Sequence, residues 1–200
     1  MIHVSKTSQF GEDDHIEAVF DEIGYGSCVL LDIGARLTYS NSRNLIDKHG
    51  FTGVLVEGNR ESADELSRTF PGLSVVCKVL KPEDVNSVCP PACWFFSLDV
   101  DSNDWWFWAN LQQKPALVVV ETNPLEGLFI APMATGQKDR NGYGMSVCAA
   151  TALAKMKGYE YIGRTEVNAF YVRKDLGCKY RLPPMTAHRG LPCKAENNVL

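Results

Sequence analysis

With 200 residues, 45% of them hydrophobic and 22% charged, the chain suits one domain around one sizeable core and is too apolar for long disorder. A formal net charge of −4 speaks against a general nucleic-acid binder, whose surface carries a basic surplus. Residues 1–14 lack the apolar segment of a signal peptide and no apolar run approaches a membrane span, so a cytoplasmic protein is expected.

Asp13 to Ile23 opens on acidic residues and sets Ile16, Val19, Phe20 and Ile23 at helical spacing, with Gly24 and Gly26 as stops. Cys28 to Ile33 is a continuous apolar run, as expected for a strand buried on both faces. Asn41 to His49 reads as a helix ended by Gly50, and Thr52 to Val56 as a second strand closed by Glu57. Arg60 to Phe70 follows as a helix and Leu73 to Val76 as a third strand. Pro82 to Val88 predicts a short helix, Trp94 to Leu98 a fourth strand, Asp104 to Leu111 an aromatic helix, and Ala116 to Val120 a fifth strand. The segment from Pro124 to Gly144 has no clear period and is long for a connection, which marks it as a functional or mobile loop. Met145 to Lys157 predicts a helix, Tyr159 to Ile162 and Val167 to Val172 a closing antiparallel hairpin, and the tail from Leu176 reads as irregular.

Strands alternating with helices predict an α/β fold: a Rossmann-like three-layer α/β/α sandwich with a seven-stranded, mostly parallel sheet and an antiparallel C-terminal hairpin. The expectation is a single domain over 1–200, with a core over about 13–175. In such sheets ligands bind beyond the carboxyl ends of the strands, near the point where strand order reverses.

The seven cysteines are expected to be reduced and mostly buried. Cys89 and Cys93, with Cys178, His188 and Cys193, can be drawn as a zinc site, but the spacing matches no regular knuckle. The run Trp105-Trp106-Phe107-Trp108 is read first as core packing and second as a pocket lining.

The predicted strand ends carry the polar groups. Asp32-Ile33-Gly34-Ala35 follows the first strand: Gly34 permits a tight turn, and Asp32 accepts from an ammonium or hydroxyl. The helix expected from about Asn41 would turn free N–H groups and a positive dipole end toward an anion. Glu57, 25 residues after Asp32, is placed to accept both hydroxyls of a ribose. The dinucleotide fingerprint of three glycines is absent, which lowers the reading of an NAD-dependent oxidoreductase. The run Ser97 to Asp104 and the run Glu121-Thr122-Asn123 close neighbouring strands, so their carboxylates would converge in one crevice as base, orienting group or hard-cation ligands. Asp104 also has a plain reading as the cap of the helix that follows it.

Taken together, Asp32-Ile33-Gly34-Ala35, Ser40 to Leu45, Gly53 to Gly58, Leu98 to Trp106, Val118 to Asn123, Gly144-Met145-Ser146, Lys157-Gly158-Tyr159 and Asn168 to Val172 resemble class I S-adenosylmethionine-dependent methyltransferases of the FkbM-like group. The similarity covers residues 25–175. It implies a methyl donor cradled by Asp32, Gly34 and Ala35, with Ser40 and Asn41 near its carboxylate, Glu57 on the ribose and Asp99 beside it. It implies Asp99, Asp101 and Asn123 at the reacting end, with Asp99, Asp101 or His188 as base. A magnesium ion on Asp99, Glu121 and Asn123 is a further implication. The implied reaction is O-methylation of a sugar or other small-molecule or glycan hydroxyl. Arg36, Leu37 and Thr38 depart from the small, glycine-bearing loop of that group, and Cys77-Lys78 stand where an acid or amide would lie beside adenine; both departures favour a non-catalytic binding module on the same fold.

Overall fold

The computed structural model describes residues 7–123, 127–128, 130 and 144–184. The chain runs α1 (Glu12–Ile23), β1 (Val29–Ile33), α2 (Arg43–His49), β2 (Thr52–Glu57), α3 (Arg60–Thr69) and β3 (Ser74–Cys77). A 3-10 turn (Pro82–Asp84) then leads into α4 (Val85–Val88), β4 (Phe95–Leu98), α5 (Asp104–Asn110), β5 (Leu117–Glu121), α6 (Val147–Lys157), β6 (Tyr159–Arg164) and β7 (Asn168–Arg173). The seven strands form one sheet in the order β3-β2-β1-β4-β5-β7-β6. The first five pair in parallel, while β7 inserts antiparallel between β5 and β6. This is the Rossmann-like α/β architecture expected from the alternation of apolar runs and amphipathic helices.

Strand alternation divides the core into two layers. Leu31, Ile33, Phe96, Leu98, Val118 and Val120 face the side covered by α5 and α6. Leu30, Leu55, Phe95, Leu117 and Val119 pack on the other side with Phe20 of α1, Leu45 of α2 and Leu66 of α3. Phe107 and Trp108 lie in the first layer, where Trp108 contacts the rings of Tyr159 and Tyr171, so the core reading of the aromatic run holds for its second half. Trp105 and Trp106 are half-buried and meet edge-to-face at 4.8 Å. No helix among the described residues is long and apolar enough to cross a membrane.

Three local departures from expectation have physical causes. α2 begins at Arg43 rather than Asn41, because Ser40 Oγ accepts from the N–H groups of Ser42 and Arg43 and so holds the preceding turn outside the helix. β6 runs on to Arg164, made possible by a register shift between Tyr161 and Gly163 in its pairing with β7. Cys28, Cys77, Cys89, Cys93 and Cys178 are free thiols, but Cys148 is disulfide-bonded, against the expectation of reduced cysteines throughout.

Candidate functional site

The strand order reverses between β1 and β4, and a cleft opens at their carboxyl ends. It is lined by Asp32, Gly34, Arg36, Tyr39, Ser40, Asn41, Ser97 and Asp99. The register explains the convergence. Asp32 pairs with Ser97 and Ile33 with Leu98, so the segments leaving β1 and β4 run side by side into the same opening. Gly34 sits at φ +87°, and a Cβ there would lie 1.7 Å from the carbonyl oxygen of Asp99. No residue with a side chain fits at that crossing.

Asp32 is 4% exposed. Its carboxylate accepts a short hydrogen bond (2.5 Å) from Ser42 Oγ. Burial raises its pKa to about 6 against the pull of hydrogen bonds from Ser42 and Ser97, and the charges of Asp99 and Glu57 add to the rise. Ser40 Oγ and Ser42 Oγ are 3.1 Å apart, and Asn41 Nδ2 donates to Ser97 Oγ at 3.4 Å. The turn 40–42 is thus a polar wall of the cleft that immediately precedes the first turn of α2. Tyr39, in the same turn, is held at φ +59°, a strained conformation for an aromatic residue.

Glu57 lies one strand away from Asp32 at the end of β2, and its Oε1 accepts from Asn59 N–H at 2.6 Å. It does not line the cleft itself.

A second cluster stands on the β5 side. Leu98 pairs with Val120, so Asp99 and Glu121 leave adjacent parallel strands at the same height. Asp99, Asp101 and Glu121 each bring a carboxylate oxygen within 4.8 Å of the others. Burial pushes the Asp99 carboxyl up, although Arg36 opposes the rise. Burial and the neighbouring charges of Asp99, Asp104 and Asp101 raise Glu121 to about 9. Asp101 sits at φ +64°.

Asp104 does not cap α5 with its side chain. Its Oδ1 reaches back to accept from Val100 N–H at 2.9 Å, and its other oxygen is buried without a partner. Burial raises its pKa to about 7. Gly144 closes this corner: a Cβ there would lie 3.3 Å from Asn123 Nδ2 and 3.4 Å from Asp104 Oδ2. Asn123 is tied by backbone to Met145 and bridges to Ser146, so it faces Asp104 across Gly144.

Of the residues singled out in the sequence, Asp32, Gly34, Ser40, Asn41 and Asp99 share one cleft, and Asp99, Asp101 and Glu121 one acidic cluster. Ala35 is buried behind the loop. Asp101 is a further acid beside Asp99 and Glu121, while Asn123 stands at the same corner next to Asp104 and Gly144. His188, Cys193 and most of the 124–144 loop lie outside the described residues. Cys89 and Cys93 adjoin in one turn, whereas Cys178 packs in the opposite core layer, so those three thiols do not converge. Sequence reasoning placed Asp104 among the converging acids but not its buried, unpartnered oxygen, and it missed Ser42: the hydroxyls around Asp32 were visible as Ser40-Asn41-Ser42, but not which one would reach it.

No family model and no curated protein matches the sequence. Solved structures do share the fold. The N-terminal domain of EvdMO1 in the presence of SAH and D-fucose is 11% identical, with a TM-score of 0.53 over 81% of this chain and 82% of that one. The same domain with SAH bound gives 12% and 0.52 over 80% and 79%. Monomeric WbdD gives 17% and 0.52 over 80% of this chain and 40% of that one.

Proposed function

We propose that the protein is an S-adenosylmethionine-dependent methyltransferase that acts on a hydroxyl of a sugar or other small-molecule or glycan acceptor. The carrying observation is Asp32, a buried carboxylate at the strand-order reversal with acceptor capacity left over beside Gly34. That donor set fits the ammonium and carboxylate of an amino acid: Asp32 would take the ammonium, and Ser40 and Asn41 would meet the carboxylate. Glu57 would accept from the ribose hydroxyls, since its second oxygen is free of the bond to Asn59. The likeness in fold to a domain solved with SAH supports the same reading.

The bound donor supplies a sulfonium-activated methyl group; the chain has only to align the acceptor and take its proton. Asp99 stands where the cofactor cleft meets the acidic cluster and is assigned as base. As the acceptor oxygen is methylated, its hydroxyl proton would pass to the Asp99 carboxylate. Asp101 and Asn123 orient the acceptor.

A magnesium ion is a second reading, favoured by the close approach of the carboxylates of Asp99, Asp101 and Glu121. Asp99 and Glu121 would be its ligands, with Asp101 or Asn123 as the third; it would polarise the acceptor oxygen.

Calorimetry with S-adenosylmethionine, S-adenosylhomocysteine and NADH tests the reading. Binding of the first two at micromolar Kd, without NADH binding, is expected. Transfer of labelled methyl to a panel of sugars separates enzyme from binding module, and full turnover by Asp99→Ala would remove Asp99 from the mechanism.

A further inference from the structure

The turn between α4 and β4 brings two thiols together at the end of the sheet opposite the cleft. Cys89 closes α4 through its N–H bond to Val85 O (3.1 Å), and Cys93 precedes the first strand pairing, Trp94 N–H to Val29 O (2.7 Å). Between them lie Pro90, Pro91 and Ala92, the last at φ +58°. Gln113 clamps the turn from both ends, its Nε2 donating to Pro90 O (2.7 Å) and its Oε1 accepting from Cys93 N–H (3.2 Å). Ser27 Oγ donates to Ala92 O at 2.7 Å. Two prolines, a left-handed alanine and three tethers make this a preset chain reversal, and it holds Cys89 and Cys93, four residues apart, on one constrained turn.

The two thiols are unlike. Cys89 is half-buried at the rim, while Cys93 is 5% exposed and belongs to the core. The Cys93 thiol donates to Phe95 O at 3.2 Å and the Cys89 thiol to Pro90 O at 3.8 Å; the two also perturb each other, Cys93 holding the Cys89 thiol below its ordinary value while Cys89 and burial push the Cys93 thiol up. A half-buried outer thiol and a buried inner thiol on the same constrained turn form the arrangement that thiol–disulfide exchange requires.

We propose that Cys89 and Cys93 form a reversible intramolecular disulfide by exchange with a low-molecular-weight disulfide, Cys89 attacking and Cys93 resolving. The Cys89 thiolate attacks one sulfur of glutathione disulfide; that S–S bond breaks and one glutathione leaves as thiolate. The Cys93 sulfur then attacks the Cys89 sulfur and gives up its proton, and the second glutathione leaves as thiol. One glutathione disulfide is reduced to two glutathiones, and two cysteines are oxidised to one cystine.

The test uses the full chain incubated with glutathione disulfide, digested with trypsin and read by mass spectrometry. Cys89 and Cys93 share one tryptic fragment, separate from Cys77 and Cys148. The expected wild-type fragment loses two hydrogens and carries no glutathione. Cys93→Ser should retain glutathione on Cys89, and Cys89→Ser should leave Cys93 unreacted, at least tenfold slower than wild type. A wild-type fragment that stays reduced, or that holds glutathione as a lasting adduct, overturns the proposal. The wild-type fragment decides this alone if either variant fails to fold.

Discussion

Asp32→Asn tests the electrostatics of the cleft without any ligand. Asp32 is 4% exposed, and burial raises its pKa from 3.8 to about 6. Between those values the folded chain holds a proton that the unfolded chain releases. Stability that is present below pH 3.8 is therefore lost as pH rises toward 6. A rise of that size corresponds to about 3 kcal/mol once both states are ionised. Asn cannot ionise, so the variant escapes this loss. Whatever the amide does to the hydrogen bond from Ser42 is the same at every pH and drops out of the trend. The variant's stability relative to wild type should climb by about 3 kcal/mol between about pH 4 and about pH 7. Urea denaturation followed by circular dichroism at several pH values reads it. A difference that stays flat across that range, or that shrinks, would refute a buried, proton-holding Asp32.

Gly34→Ala forces a Cβ onto the Asp99 carbonyl at a positive φ; a loss of more than about 2 kcal/mol is expected, together with loss of S-adenosylmethionine binding by calorimetry. Trp108→Ala empties a fully buried site against Tyr159 and Tyr171 and should cost about 3–5 kcal/mol by thermal or denaturant unfolding. Glu12 is fully buried and accepts from Thr165 Oγ1, Asn168 Nδ2 and Phe10 N–H; Glu12→Ala leaves these donors unpaired and should lower stability by about 1–3 kcal/mol, with faster hydrogen exchange at Phe10. Glu121→Gln should leave S-adenosylmethionine affinity within about twofold while lowering methyl transfer at least about tenfold, equivalent to about 1.4 kcal/mol of barrier; equal losses in both would place Glu121 in the cofactor cleft instead.

The strands were legible because a buried strand announces itself as an unbroken apolar run, and Cys28 to Ile33 and Ala116 to Val120 are such runs. Which residues would meet was legible only as far as register follows from alignment of strand ends, as with Asp99 and Glu121. The insertion of β7 between β5 and β6 was not, since a hairpin pattern says that two strands pair and not which of them reaches the sheet. The start of α2 was misplaced because a single hydroxyl, Ser40 Oγ, captures the N–H groups of Ser42 and Arg43. The direction of Asp104 was hidden for the same reason: an acid before a helix reads as a cap, and only the chain path decides that it turns back to Val100.

The acidic corner works against the folded chain. Parallel register fixes Asp99 and Glu121 side by side, and the loop between β4 and α5 adds Asp101 and Asp104. Nothing in the folding of the sheet requires four acids there, and like charges at that spacing oppose the compact state. Arg36 is the cation that acts on Asp99 from the cleft side, and it occupies the loop position where a small residue would leave the cleft wider. The ligand-free protein therefore holds acids whose ionisation burial opposes, with a guanidinium lining the same cleft. A donor that carries its own positive charge on sulfur and on its ammonium would meet both carboxylates, Asp32 and Asp99, and compete with Arg36 for the second. Affinity for such a donor should accordingly rise when Arg36 is shortened to a neutral residue, an effect opposite in sign to that expected if Arg36 served to bind an anionic ligand.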